Sequence, residues 1–176
     1  LGNVILAKDA INEYGSDLVR LTLLNAPYRS IINFSDKTLA DNRSILQKLS
    51  SCYKQLNLYI NINGLMDKIS HNSPKMEGFL NALSSDINVG NGITEMLEII
   101  KKSNALLRQN VENFSEIVEN FSALTDISYI LGLSFKPVKF NDDEIKLYKE
   151  YEEAKKAKNY ELSDELRKKL IAINIL

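Results

Sequence analysis

Residues 35–64 read SDKTLADNRSILQKLSSCYKQLNLYINING. Leu39, Ile45, Leu49, Tyr53, Leu56 and Ile60 recur at near-helical intervals, so they trace one apolar stripe along a helix of 3.6 residues per turn. Ser35 stands where a helix opens, and Asn63-Gly64 supplies the stop. A long helix with one apolar face has to bury that face against other elements. The stretch therefore predicts an all-α protein, built as an antiparallel helical bundle.

The flanking sequence extends the same pattern. Upstream, residues 4–28 predict two short helices. Asp9 is the expected cap of the first, and Gly15 its end, in the left-handed region that glycine tolerates. Ser16 is the expected cap of the second, which carries Leu18, Leu21 and Leu24 and halts at Pro27. Residues 28–34 read as extended. Downstream, 71–74 is a polar loop, followed by a helix over 75–83 with Phe79, Leu80 and Leu83 inward. Residues 86–92 form a break rich in turn residues. One further helix carries Ile93, Met96, Leu97, Ile100 and Leu107. The next carries Phe114, Ile117, Phe121, Leu124 and Ile127, and Leu131-Gly132-Leu133 closes it.

Residues 134–141 contain Pro137 and have no helical period. Beyond them, 142–176 is charged and helical, interrupted at Asn159, with Ala154, Leu162, Leu166 and Leu170 inward. The expected organisation is a short leading segment (1–34), a helical bundle (35–135), a linker (136–141) and a C-terminal helical hairpin (142–176).

Composition narrows the function classes. Seven glycines and three prolines in 176 residues are too few for an all-β chain. A formal net charge of -1 gives no whole-chain case for nucleic-acid binding, so any RNA contact must come from a local patch. A single cysteine, Cys52, excludes an intrachain disulfide and fits a reducing, cytoplasmic setting. No apolar run reaches membrane-spanning length, and no signal-peptide pattern opens the chain. The start at Leu1, without Met, reads as that of a fragment.

Catalytic chemistry is hard to place. His71, the only histidine, sits in the polar loop and reads as a solvated residue. Cys52 adjoins the apolar stripe and reads as packing. One Cys and one His cannot close a zinc site. There is no phosphate-binding G-x-x-x-x-G-K-[ST] loop and no G-x-G-x-x-G turn. Asp142-Asp143-Glu144 fits a helix start, where acids complement the dipole.

Basic residues cluster three times: Lys101-Lys102 with Arg108, Arg29 with Arg43, and, most densely, Lys155, Lys156 and Lys158 followed by Arg167, Lys168 and Lys169. Tyr160 lies between the halves of the last cluster and could stack on a base. The alternative is a solvated face whose lysines pair with Glu152, Glu153, Glu161 and Glu165.

A series of short motifs, in order, resembles one family. Leu1-Gly2-Asn3 matches the end of the class I synthetase signature K-M-S-K-S-L-G-N. Gly15-Ser16-Asp17-Leu18-Val19-Arg20 is similar to the G-x-D-x-L-R helix of the DALR domain. Ala26-Pro27-Tyr28-Arg29-Ser30 and Asn33-Phe34-Ser35 resemble the A-x-Y-R-S and N-F-S of cysteinyl-tRNA synthetases. Ala82-Leu83-Ser84-Ser85-Asp86-Ile87-Asn88 looks like A-M-D-D-D-F-N-T, with serine at two of the three acidic positions. Residues 153–160 and 163–167 resemble E-A-R-x-x-K-D-W and A-D-x-I-R. Lys155 there replaces arginine, Asn159 aspartate and Tyr160 tryptophan, and the exchange at 155 loses a planar guanidinium fork.

The resemblance implies a DALR-type bundle followed by the start of an anticodon-binding region. The family's full-length enzyme activates cysteine with ATP and attaches it to tRNA(Cys), with zinc in its catalytic domain. Those catalytic parts lie upstream of Leu1 in the family, so the resemblance places no catalytic, cofactor or metal residue here and implies a fragment inactive by itself. Its partners would be tRNA(Cys) and the upstream catalytic domain. Lys155, Lys158, Tyr160, Arg167 and Lys168 become the leading RNA-contact candidates, joined by Arg29 and Arg20. Arg20 also suits an ion pair with Asp17 or a buried carbonyl. Two alternatives stay open: a stand-alone helical protein-interaction module, and the related mycothiol-pathway cysteine ligase.

Overall fold

The computed structural model describes residues 5–109 and 113–176. Among them are eight α-helices, two short 3-10 turns and no strand. The helices are α1 (Ala7–Tyr14), α2 (Ser16–Leu24), α3 (Asp36–Ile62), α4 (Glu77–Ser84), α5 (Val89–Gln109), α6 (Phe114–Ile130), α7 (Asp142–Lys156) and α8 (Tyr160–Ala172). The expected all-α architecture is therefore the one observed. The Leu1-Gly2-Asn3 motif lies outside the described residues.

Helix α3 is the spine. Ser35 caps it in a reciprocal box with Thr38, whose hydroxyl accepts from the Ser35 backbone N–H at 3.0 Å. Leu39, Leu49, Tyr53, Leu56 and Ile60 of the stripe are buried, and Ile45 packs at its edge. Leu49, Tyr53, Leu56 and Ile60 share one core cluster with Ile93, Met96 and Ile100 of α5 and Ile117, Phe121 and Leu124 of α6. Tyr53 packs against Phe121 at 4.7 Å and Phe135 at 5.6 Å between ring centroids, while its hydroxyl reaches Thr125 at 2.9 Å. At the far end, Gly64 at φ 64° lets the Leu65 N–H return to Ile60 O.

Several local expectations shift. α1 is capped at Leu6 without a side-chain bond, so Asp9 is a first-turn acid and not the cap. Gly15, at φ 84°, ends α1 and also caps α2, which makes Ser16 the first helical residue. The break over 86–92 ends earlier, because Asn88 accepts from the Asn91 N–H and α5 starts at Val89. Leu80 and Leu162, expected inward, are exposed. Phe79 and Ser163 take the buried positions beside them.

Candidate nucleic-acid interface

Helices α7 and α8 pack together as a hairpin. Asn141 and Glu144 form a capping box at the start of α7, with Asp142, Asp143 and Glu144 in its first turn and Lys155 and Lys156 in its last. Both ends thus complement the helix dipole. The acidic end lies at the linker and the basic end at the hairpin tip, about 20 Å away at 1.5 Å per residue.

The tip is closed by Lys158. Its N–H donates to Lys155 O at 3.0 Å, and the Asn159 N–H donates to Ala154 O at 2.9 Å. This is a Schellman closure with Lys158, at φ 56°, in the position glycine usually takes. Asn159 then caps α8 by accepting from the Leu162 N–H. Ala154, Ser163, Leu166 and Leu170 form the buried seam of the hairpin.

The structure divides the basic cluster. Lys155 donates to Glu152 at 3.0 Å and sits 5.0 Å from the centre of the Tyr151 ring. The hydrogen bond to Glu152 raises its pKa, so the ammonium stays charged. Lys169 pairs with Glu165 at 2.6 Å. Lys156, Lys158, Arg167 and Lys168 are exposed and have no ion pair among the described residues. Tyr160 is 71% exposed. Tyr160 and Arg167 are seven residues apart, so they share one side of α8 at a spacing of about 10 Å. The candidates therefore form two groups: Lys155, Lys158 and Tyr160 at the tip, and Arg167 with Lys168 two turns along.

Arg29 and Arg20 lie elsewhere. Arg29 donates to Asp86 at 2.9 Å and to the Tyr28 hydroxyl at 2.8 Å, and stacks 5.1 Å from the Tyr28 ring centre. Tyr28 donates to the same Asp86 oxygen at 2.8 Å. Arg20 lies over Gly132, where a Cβ would come within 3.0 Å of its Nη1. Asp17 does not pair with Arg20 but accepts from the Ser134 N–H and hydroxyl.

The root of the hairpin is held by residues that carried no signal in the sequence. Asn57 and Asn61 of α3, 7% and 4% exposed, bind the backbone of residues 138–140. Lys54 donates to Asn174 at 3.0 Å.

Catalytic and metal chemistry find few groups. Cys52 is buried between α3 and α5, its Sγ 3.9 Å from Ile100 O, and burial pushes the thiol up to about 12. His71 is exposed and meets Asp126 at 2.6 Å. Among the described residues no three His, Cys, Asp or Glu side chains converge. The zinc implied by the resemblance thus has no donor set in them.

No protein-family model matches the chain. Individual relatives do. The chain is 29% identical to a protein of Halalkalibacterium halodurans over 182 residues, covering 100% of this chain and 39% of the relative. It is 30% identical to one of Finegoldia magna over 180 residues, covering 99% and 38%. A Brevibacillus brevis protein matches at 29% over 191 residues, covering 100% and 40%. Over its whole length, then, the helical chain is homologous to a portion of an aminoacyl-tRNA ligase. In all three relatives that ligase is cysteine–tRNA ligase. The chain spans about two-fifths of the length of these curated relatives. No helix among the described residues is long and apolar enough to cross a membrane.

Proposed function

We propose that the chain is the tRNA-docking, C-terminal portion of a cytoplasmic cysteine–tRNA ligase. The full enzyme would activate cysteine with ATP and attach it to tRNA(Cys) using catalytic parts outside this sequence. The described helices would hold the RNA without taking part in bond making.

One observation supports this above the others. The chain that matches cysteine–tRNA ligases end to end also presents, on one hairpin, an exposed aromatic ring and cations that have no ion pair among the described residues. Lys158, Arg167 and Lys168 would neutralise phosphates, with affinity falling as salt rises. Tyr160 would stack on an unpaired base. Lys155, engaged by Glu152, would contribute less. Arg29, committed to Asp86, has to break an exposed ion pair before it can serve.

Electrophoretic titration with tRNA(Cys) and with a non-cognate tRNA, at two salt concentrations, tests the reading. It expects tighter binding of tRNA(Cys) and weakening of both at higher salt. No binding at low salt would contradict it. The same chain should give no cysteine-dependent ATP–pyrophosphate exchange, and exchange above background would mean that reactive groups lie within it.

A further inference from the structure

Residues 134–141 connect the bundle to the hairpin without regular secondary structure. Such a segment would ordinarily let the hairpin swing. Here its backbone is bonded along one edge. The Asn57 amide makes both bonds to one peptide position: its Oδ1 accepts from the Val138 N–H at 3.1 Å, and its Nδ2 donates to Val138 O at 3.1 Å. Asn61 Nδ2 donates to the same carbonyl at 2.9 Å, and its Oδ1 accepts from the Phe140 N–H at 2.8 Å. Bonding at alternate residues is how a neighbouring strand holds an extended chain. Two side chains one turn apart on α3 take the neighbouring strand's place. Asn61 is itself oriented by a bond to Asn57 O at 2.8 Å. Asp17 fixes the start of the segment at Ser134, and Asn141 passes directly into the α7 capping box.

Burial separates this arrangement from a generic stability element. The two asparagines are buried, yet Val138 is 56% exposed. Water could replace the lost partners of the linker backbone if the asparagines were removed. Helix α3 and its stripe would remain intact. What would be lost is the direction in which the hairpin leaves the bundle.

We propose that Asn57 and Asn61 are positioning residues, a side-chain clamp that fixes the hairpin's orientation on the bundle. Resting on the docking reading above, the clamp also sets where Lys158, Tyr160, Arg167 and Lys168 meet RNA.

The test uses the full chain. Spin labels at Lys102→Cys and Ala157→Cys, in a Cys52→Ala background, report the bundle-to-hairpin distance. With the clamp intact the distance distribution is narrow. In the Asn57→Leu/Asn61→Leu variant, which keeps apolar volume, it broadens while helicity and cooperative unfolding persist. If the double variant unfolds, amide exchange on the unsubstituted chain decides: Val138 and Phe140 exchange more slowly than their exposed neighbour Lys139. An unchanged distribution in a folded variant, or equal exchange at all three amides, overturns the clamp. A tRNA titration on the same samples separates the two claims. The clamp variant binds several-fold more weakly if both hold. If the clamp-intact chain binds no tRNA, the docking reading fails, and the distance measurement still decides the clamp.

Discussion

Tyr28 and Asp86, fifty-eight positions apart, meet hydroxyl to carboxylate at 2.8 Å, and Arg29 closes the triangle onto the same oxygen at 2.9 Å. The contact ties the segment after α2 to the turn between α4 and α5. Asp86 and Ile87 in that turn have φ of 61° and 51°. Left-handed backbone is costly at a β-branched residue, so the turn needs outside support.

Asp86→Ala therefore removes two donors' partner from a strained turn. The groups are exposed, so the expected loss is about 0.5–1 kcal/mol. Urea denaturation at low and high salt checks it, and the difference from the parent should shrink as salt rises. A loss of several kcal/mol would mean the contact is integral to the core.

Lys158→Gly separates folding from binding. Glycine in the left-handed closing position should stabilise the hairpin by about 1 kcal/mol. The same change deletes a cation at the tip. Thermal melting and RNA titration on one preparation should move in opposite directions, with a higher midpoint and weaker binding. Unchanged affinity would remove Lys158 from the interface.

Cys52 should be inert in the folded chain. Burial pushes its thiol from 9.0 to about 12, so the thiolate is scarce at pH 8–9. The sign follows from the raised value. This contribution to stability is fully present below pH 9 and is lost as pH rises through about 12. Alkylation by iodoacetamide at pH 8.5 should follow global unfolding. Rapid alkylation without denaturant would contradict the burial.

Phe121→Ala should cost about 3–5 kcal/mol, because the ring is fully buried and packs on Tyr53. Chemical denaturation reads it directly. A cost below about 1 kcal/mol would show that the space collapses or that Tyr53 repacks into it.

The core of α3 was legible because burial there follows period. Leu49, Leu56 and Ile60 recur on one face and are fully buried. Leu80 and Leu162 misled for the converse reason: apolar residues are also common on surfaces, so spacing near a stripe does not guarantee burial. Asp9 and Ser16 have the chemistry of caps, but the helices start at neighbouring residues, and cap identity is less certain than helix existence. The basic hairpin was visible as composition. Which of its lysines are already paired depends on rotamers that a sequence does not state. Asn57 and Asn61 were invisible in a stronger sense. Their partners are backbone groups of residues 138 and 140, and a peptide group carries no residue-type signature.

The central claim is that hairpin cations hold RNA phosphates. Its most direct measurement is the salt dependence of tRNA(Cys) affinity for the parent chain and for Lys155→Glu/Lys158→Glu/Lys168→Glu. Each phosphate contact adds about 0.7–0.9 to the slope of log affinity against log salt. Lys158 and Lys168, which have no ion pair among the described residues, should therefore flatten the slope by about 1.4–1.8, with helicity unchanged and affinity lower. An identical slope and affinity in the folded triple variant would contradict the account and leave the cluster a solvated face.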